Sequence, residues 1–375
     1  MLAKTPPMGF NTWNTFGENI CDEVIRSTAD MMVDKGLLDA GYEYLVIDDC
    51  WSKRRRDPET GKIVPDPEKF PEGMKAVSDY VHSKGLKFGM YSCAGTRTCA
   101  NYPGSFDHEY LDAKTFAEYG ADFLKYDFCY KPPKADGPLL YRRMSNALRA
   151  SGREILFSAC NWGCDDVETW IRSTGAHMYR STGDICDTFE SMRDIALSQI
   201  DKIAYSGNHC YNDMDMLTVG MFGKGNVGRE NCCDENDYTT EFALWCMFGV
   251  PLMLGCDIRK LDGRMLELVK NRNLIRINQD EESRPPYVTC GDSGKVKTFF
   301  RVLSDNEYAL MFANFDDRDH RACFYLETAG FPAASGYGLH LTDALTAEDC
   351  GVVKEFMDAD VKAHGCKIYL CRQAC

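Results

Sequence analysis

The sequence predicts an α/β protein: a (β/α)8 TIM barrel over residues 1–282, followed by a C-terminal antiparallel β-sandwich domain over residues 283–375. Three observations carry that expectation. Short apolar runs alternate with helix-length amphipathic stretches at intervals of roughly 20 to 45 residues, the pattern of parallel strands joined by crossover helices. Eight such units over roughly 280 residues suit a barrel better than an open dinucleotide-binding sheet, and no G-x-G-x-x-G follows the first strand. Past Glu282 the segment Ser283-Arg284-Pro285-Pro286 breaks the helical pattern, and short runs at turn-punctuated spacing take over.

In chain order, strands are expected at 8–13, 44–47 (in YEYLVIDDCW), 88–91 (KFGMYSC), 123–126 (FLKYDFC), 155–157 (EILFSAC), 177–180 (HMYRSTGD), 203–205 (KIAYSG) and 251–254 (PLMLGCD). Helical periodicity falls between them, at 23–35, 72–84, 113–119, 141–150, 189–202, 237–247 and 263–278. The C-terminal strands are expected at 296–303, 308–314, 322–327, 338–343 and 361–370.

Composition narrows the function classes. The chain has 375 residues, with 43 Lys+Arg against 57 Asp+Glu, a formal net charge of −14. Such an acidic balance argues against a protein that neutralises nucleic-acid phosphates or lies on an anionic membrane. Hydrophobic residues at 44% and charged residues at 27% are ordinary for a globular chain, which excludes wholesale disorder. A neutral or polar small molecule is the expected partner. The 19 cysteines are an odd number, so they cannot all pair within one chain. The start, Met-Leu-Ala-Lys-Thr-Pro-Pro, has no signal-like apolar stretch, so a cytoplasmic location with reduced, mostly buried thiols is expected. A secreted mature form is the alternative. No metal is expected: Cys232 and Cys233 are adjacent, no two close cysteine pairs stand together, and the seven His are scattered.

A barrel does its chemistry at the C-terminal ends of its strands. There the sequence puts Asn11 and Trp13, Asp48-Asp49, Tyr91, Lys125 and Asp127, Cys160-Asn161-Trp162, Arg180 with Asp184 beyond it, and Asn212-Asp213-Met214-Asp215. Each has a plainer reading. An Asp after a strand often caps the next helix, and a Trp often packs in a core or lid. Two adjacent carboxylates, however, exceed one cap's needs. Lys125 and Asp127 lie two apart on a strand and so face the same side, where a lysine needs a carboxylate or a ligand beside it. Many carboxylates, few histidines and aromatic platforms suit glycoside hydrolysis, which uses one ionised carboxylate and one carboxylic acid across the scissile bond. Spacing alone does not choose the pair.

Six blocks, PPMGFNTWNTF, YLVIDDCW, GMYSCAGTRTC, FLKYDFCY, YRSTGD and NDMDML, give the chain its resemblance to glycoside hydrolase family 27, of the α-galactosidase (melibiase) type, over about residues 5–282. The resemblance implies a retaining double displacement without cofactor, acting as an exo-α-galactosidase on terminal α-linked galactose. It implies that Asp127 is the nucleophile and Asp184 the acid/base, with Lys125 and Arg180 holding Asp127 ionised and Asp184 having a raised pKa. It further implies sugar contacts from Trp13, Asp48, Asp49, Tyr91, Cys99, Lys125, Arg180, Asp215 and Met216, and disulfides joining Cys21 to Cys50 and Cys99 to Cys129. In a reducing compartment those four cysteines are expected as thiols at least part of the time. A homo-oligomer is compatible with the sequence.

One departure from the family stands out. Its α-galactosidases typically carry C-E-W after the fifth strand, whereas this chain reads Cys160-Asn161-Trp162-Gly163-Cys164. An amide both donates and accepts, so Asn161 is expected to meet either a 2-hydroxyl or an acetamido carbonyl, with Trp162 stacking beside it. Alternatives within the family are therefore α-N-acetylgalactosaminidase and β-L-arabinopyranosidase. Asp48, rather than a longer Glu, favours galactose over the pentose. A non-catalytic galactoside-binding protein is the alternative from another class.

Overall fold

A computed structural model describes residues 2–289 and 294–374. Eight strands form one parallel sheet: β1 (Met8–Asn11), β2 (Tyr44–Val46), β3 (Lys87–Cys93), β4 (Phe123–Asp127), β5 (Leu156–Cys160), β6 (Met178–Arg180), β7 (Tyr211–Asp213) and β8 (Leu252–Leu254). Their spatial order is β7-β6-β5-β4-β3-β2-β1-β8, so each strand pairs with its sequence neighbour and β8 returns to β1. The ring then closes at a seam. Among the described residues β7 and β8 share no ladder, and a single parallel bridge, Leu217 to Leu254, joins the two ends.

Strand alternation sorts the side chains. Tyr44, Val46, Phe123, Leu156, Met178, Tyr211 and Met253 point into the barrel and form its apolar floor. Neighbours of opposite parity, such as Leu45, Leu124, Tyr126, Phe157, Ala159 and Tyr179, face the surrounding helices and join the main core. Asp48, Lys125, Asp127, Arg180 and Asp213 keep the inward parity of the floor, which is how one set of strands makes both floor and site.

The C-terminal region forms a six-stranded antiparallel sheet, and a two-stranded sheet of His320–Tyr325 with Phe356–Val361. Phe300, Leu310, Leu339 and Cys371 of the first sheet share a core with Phe324, Met357 and Val361 of the second, as a sandwich requires. The opposite face of the large sheet, through Phe299, Met311 and Ile368, merges with the barrel's own core. Among the described residues, no helix is long and apolar enough to cross a membrane.

Three sequence expectations are corrected. The run 203–205 is a 3-10 turn, Ile203–Tyr205, because only Ile203 is buried while Tyr205 is exposed; the seventh strand is Tyr211–Asp213. The helical stretch 263–278 is two helices, Gly263–Val269 and Arg272–Asn278. They divide at Asn271, whose extended backbone and side chain cap the second one by accepting from Asn273 and Leu274 N–H. The run 361–370 is the end of one strand and the start of another, with Lys362 to Gly365 turning between them.

Candidate active site

The C-terminal mouth of the barrel holds a crevice of about 90 Å³. Its wall includes Trp13, Asp48, Asp49, Tyr91, Cys99, Lys125, Asp127, Trp162, Arg180, Asp184, Asp215 and Met216, so twelve of the thirteen site residues expected from sequence converge there. Larger hollows of about 350 and 390 Å³ at the other end, around Leu2, hold one carboxylate each. Chemistry, and not size, distinguishes the mouth.

Asp127 sits at the bottom. Tyr91 OH donates to its Oδ2 at 2.9 Å and the Phe128 N–H to its Oδ1 at 2.9 Å. Burial pushes its carboxyl up to about 6; Lys125, the Phe128 N–H and Tyr91 pull against that rise. Of the two cations expected to hold Asp127 ionised, Lys125 pulls in that direction, but desolvation is the larger effect.

Lys125 Nζ reaches Asp48 Oδ2 at 2.7 Å, and Asn11 Nδ2 donates to the same oxygen at 2.8 Å. Burial opposes the ammonium charge, but Asp48, Cys160 and Asp127 together raise its pKa, so Lys125 stays cationic. Asp49 accepts from the N–H groups of Cys50 (2.7 Å) and Ala100 (3.0 Å). Its second contact ties β2 to the loop carrying Cys99. Neither Asp48 nor Asp49 caps a helix, since the next one starts at Met74. Trp51, the other tryptophan near this strand end, is core: its ring packs on Phe116 and Tyr119, and its Nε1 donates to Tyr91 O.

Across the crevice Arg180 is buried between two carboxylates. Nη1 lies 2.8 Å from Asp215 Oδ1 and Nη2 lies 2.8 Å from Asp184 Oδ1. The Asp184 side chain is 74% exposed. Desolvation against the wall pushes its carboxyl up, but Arg180, by charge and hydrogen bond, outweighs this and holds it below the usual range. That reverses the expectation of a raised pKa for Asp184 in the free protein.

Asn161 is the exception among the expected site residues. It lies outside the crevice, fully buried, with Nδ2 donating to Cys164 O at 3.0 Å and Oδ1 buried without a protein partner. Parity explains this. Leu156 and Cys160 face into the barrel, so Asn161 continues the outward set of Phe157 and Ala159, and the wall is built by Cys160 and Trp162. Trp162 has φ +60° and is followed by Gly163 at φ +83°, where a Cβ would stand 2.5 Å from Ser181 O. Only glycine suits that second position.

Asn14, Cys160 and Val227 also line the crevice and were not anticipated as contacts. Strand alternation from Leu156 points to Cys160. Nothing local marks Val227, which arrives from the long segment after β7. Cys99 and Cys129 form the disulfide that the resemblance implied. Cys21 and Cys50 are both free, so the other implied pair is absent. Among the described residues, Cys99, Asp127 and Cys129 are the grouping with metal-ligand spacing, and two of its three ligands are the joined sulfurs.

A parallel barrel with paired carboxylates, a lysine, an arginine and tryptophans at its C-terminal mouth is the architecture of a sugar-cleaving enzyme. The chain belongs to the family described as Alpha galactosidase A, whose model matches residues 5–280, and it is a glycoside hydrolase. It is similar to the alpha-galactosidase of Cyamopsis tetragonoloba, 40% identical over 377 residues, covering 98% of this chain and 86% of that one. Among solved structures it is similar to alpha-galactosidase I from Mortierella vinacea, with a TM-score of 0.92 and 30% identity, covering 99% of this chain and 97% of that one. It is also similar to the Saccharomyces cerevisiae enzyme solved with raffinose, with a TM-score of 0.88 and 27% identity, covering 100% of this chain and 98% of that one.

Proposed function

We propose that the chain is a retaining exo-α-galactosidase, with Asp127 as nucleophile and Asp184 as acid/base. The observation that carries this reading is the placement of the two carboxylates on one crevice. Asp127 is buried at its base, and Asp184 is solvent-accessible at its mouth, where a leaving group departs. Asp127 attacks the anomeric carbon while Asp184 protonates the leaving oxygen. Asp184 then takes a proton from water, whose oxygen displaces Asp127 and releases galactose. A separation of about 5–5.5 Å between the carboxyl groups is expected for this course.

The resting protonation must change on binding. A sugar 2-hydroxyl that takes over a hydrogen bond from Arg180 weakens its grip on Asp184, and the pyranose covers that carboxyl, so its pKa rises toward that of an acid. Lys125 and Asp48 bind hydroxyls on the far side, and Trp13 stacks on the ring. The C2 side faces Cys160 and the indole of Trp162 rather than an amide, which favours a hydroxyl over an acetamido group. The names of the relatives and the raffinose complex of one of them agree with this substrate class.

Initial rates on p-nitrophenyl α-galactoside and p-nitrophenyl α-N-acetylgalactosaminide, with the Asp127→Ala protein as blank, test the reading. Hydrolysis of the first, at a rate at least about 10³-fold above the blank, is expected. Preference for the second substrate overturns the substrate assignment; a variant as active as the parent overturns the role of Asp127.

A further inference from the structure

Asp215 is held in an unfavourable backbone conformation, and the group that holds it lies outside the crevice. Its φ is +85°, in the left-handed region that a non-glycine residue rarely adopts. Its carboxylate is the hub of the acid/base side of the site. Oδ1 accepts from the Met216 N–H at 2.7 Å and pairs with Arg180 at 2.8 Å, while Oδ2 accepts from the Ile185 N–H at 2.8 Å. Ile185 follows Asp184, and Arg180 also holds Asp184, so Asp215 fixes that residue from both directions.

Asp215 lies just past β7 at the seam and shares no strand ladder; its N–H donates to Asp213 Oδ1 at 2.9 Å, which leaves its carbonyl to be held from elsewhere. That carbonyl oxygen accepts from Trp245 Nε1 at 2.9 Å. Trp245 lies on the helix Glu235–Phe248, is fully buried, and takes no part in the crevice wall. Without that N–H, the 215–216 peptide can rotate toward a relaxed conformation, carrying the Met216 N–H away from Oδ1 and the carboxylate away from Arg180 and Ile185.

We propose that Trp245 is a positioning residue. By holding the Asp215 carbonyl it fixes the left-handed turn that seats Arg180 and Asp184 at the mouth of the crevice. The inference rests on the galactosidase reading above. It predicts that the glycosylation step fails in proportion to the leaving group's need for a proton.

The test compares Trp245→Phe, which keeps an aromatic ring and removes the N–H, with the parent chain on methyl α-galactoside and p-nitrophenyl α-galactoside. Methanol is a poor leaving group and needs the acid; p-nitrophenolate hardly does. The kcat/KM for the methyl glycoside, which reports the glycosylation step alone, is expected to fall about 10- to 100-fold, and that for the aryl glycoside less than about threefold. Phe248→Leu, on the same helix and packed 5.1 Å from Phe299, is the packing control, expected to lower Tm and keep the parent's rate ratio. Should Trp245→Phe fail to fold, β-(3-benzothienyl)alanine at position 245 keeps the indole shape without the N–H. An unchanged ratio in the 245 variants, or an equal change in Phe248→Leu, overturns the positioning role. A parent chain that hydrolyses neither galactoside overturns the functional reading, and this inference with it.

Discussion

Asp127 is a carboxylate drawn toward its neutral form by burial and held back by its neighbours. Tyr91 is the neighbour most easily removed, since Phe fills the same buried space. Activity that needs an ionised Asp127 is lost as pH falls through its pKa, so on p-nitrophenyl α-galactoside, whose leaving group hardly needs the acid, the acidic limb of kcat/KM is expected near 6. The Tyr91 hydrogen bond favours the charged form, so in Tyr91→Phe that limb moves to higher pH, by about one unit. A pH–rate profile of the two proteins checks the direction; an unmoved or lowered limb contradicts it. Much of the site was legible residue by residue. Lys125 and Asp127, two apart, had to share a face, and the structure puts both on the crevice. The same arithmetic, counted from Leu156, would have turned Asn161 away from the sugar and Cys160 toward it. The amide's chemistry suits a sugar contact, but its parity makes it a brace for the turn at Cys164. The ion pair that depresses Asp184 could not be read from sequence at all, because it depends on where an exposed carboxylate comes to rest.

Among the elements, the helix Glu235–Phe248 is the least amphipathic and the most informative. All but its first two residues are buried, and it runs beneath the segment after β7. Glu241, inside it, accepts from the Thr218 N–H at 2.7 Å and Thr218 Oγ1 at 2.9 Å, which secures that segment. Burial raises its carboxyl to about 8, from 4.5, despite both hydrogen bonds. A raised folded-state pKa means the proton belongs to the folded form. The associated stability is complete below about 4.5 and is lost as pH rises through about 8. Glu241→Gln mimics the protonated form, so its Tm relative to the parent is expected to rise by a few degrees between pH 5 and pH 8.5, at about 1–2 °C per kcal/mol for a chain of this length. Differential scanning calorimetry at the two pH values measures it, and a constant difference contradicts it. Element order was legible because hydrophobic period and turn residues agree along most of the chain. The seventh strand was misplaced because it is three residues long and reads YND. Its place in the sheet comes from pairing with Met178–Arg180, and not from apolar character.

For the whole molecule, barrel and C-terminal sheets fold against one another. Arg301, on the large sheet, is fully buried. Its Nη1 donates to Cys246 O, Met247 O and Ile277 O at 3.0–3.3 Å, and Nε to Arg284 O at 2.7 Å. It therefore satisfies carbonyls at the ends of two barrel helices, and burial pulls its pKa down to about 10. Arg301→Met leaves those carbonyls without a donor, and a loss of about 3–5 kcal/mol is expected. One cooperative thermal transition should shift as a unit; two transitions, only one of them moved, would count against a shared core. This mutual dependence was not visible in the sequence, where the change of texture after Glu282 suggested only succession. The seam in the ring has a consequence of its own. Seven joints between strands are backbone ladders, indifferent to which side chains they carry. The eighth is one bridge, Leu217 to Leu254, beside a segment that Trp245 and Glu241 hold from the helix beneath. Heritable variation at the seven can repaint the lining without altering the circumference. At the eighth it acts on the closure itself, through a bridge and side chains that selection can exchange.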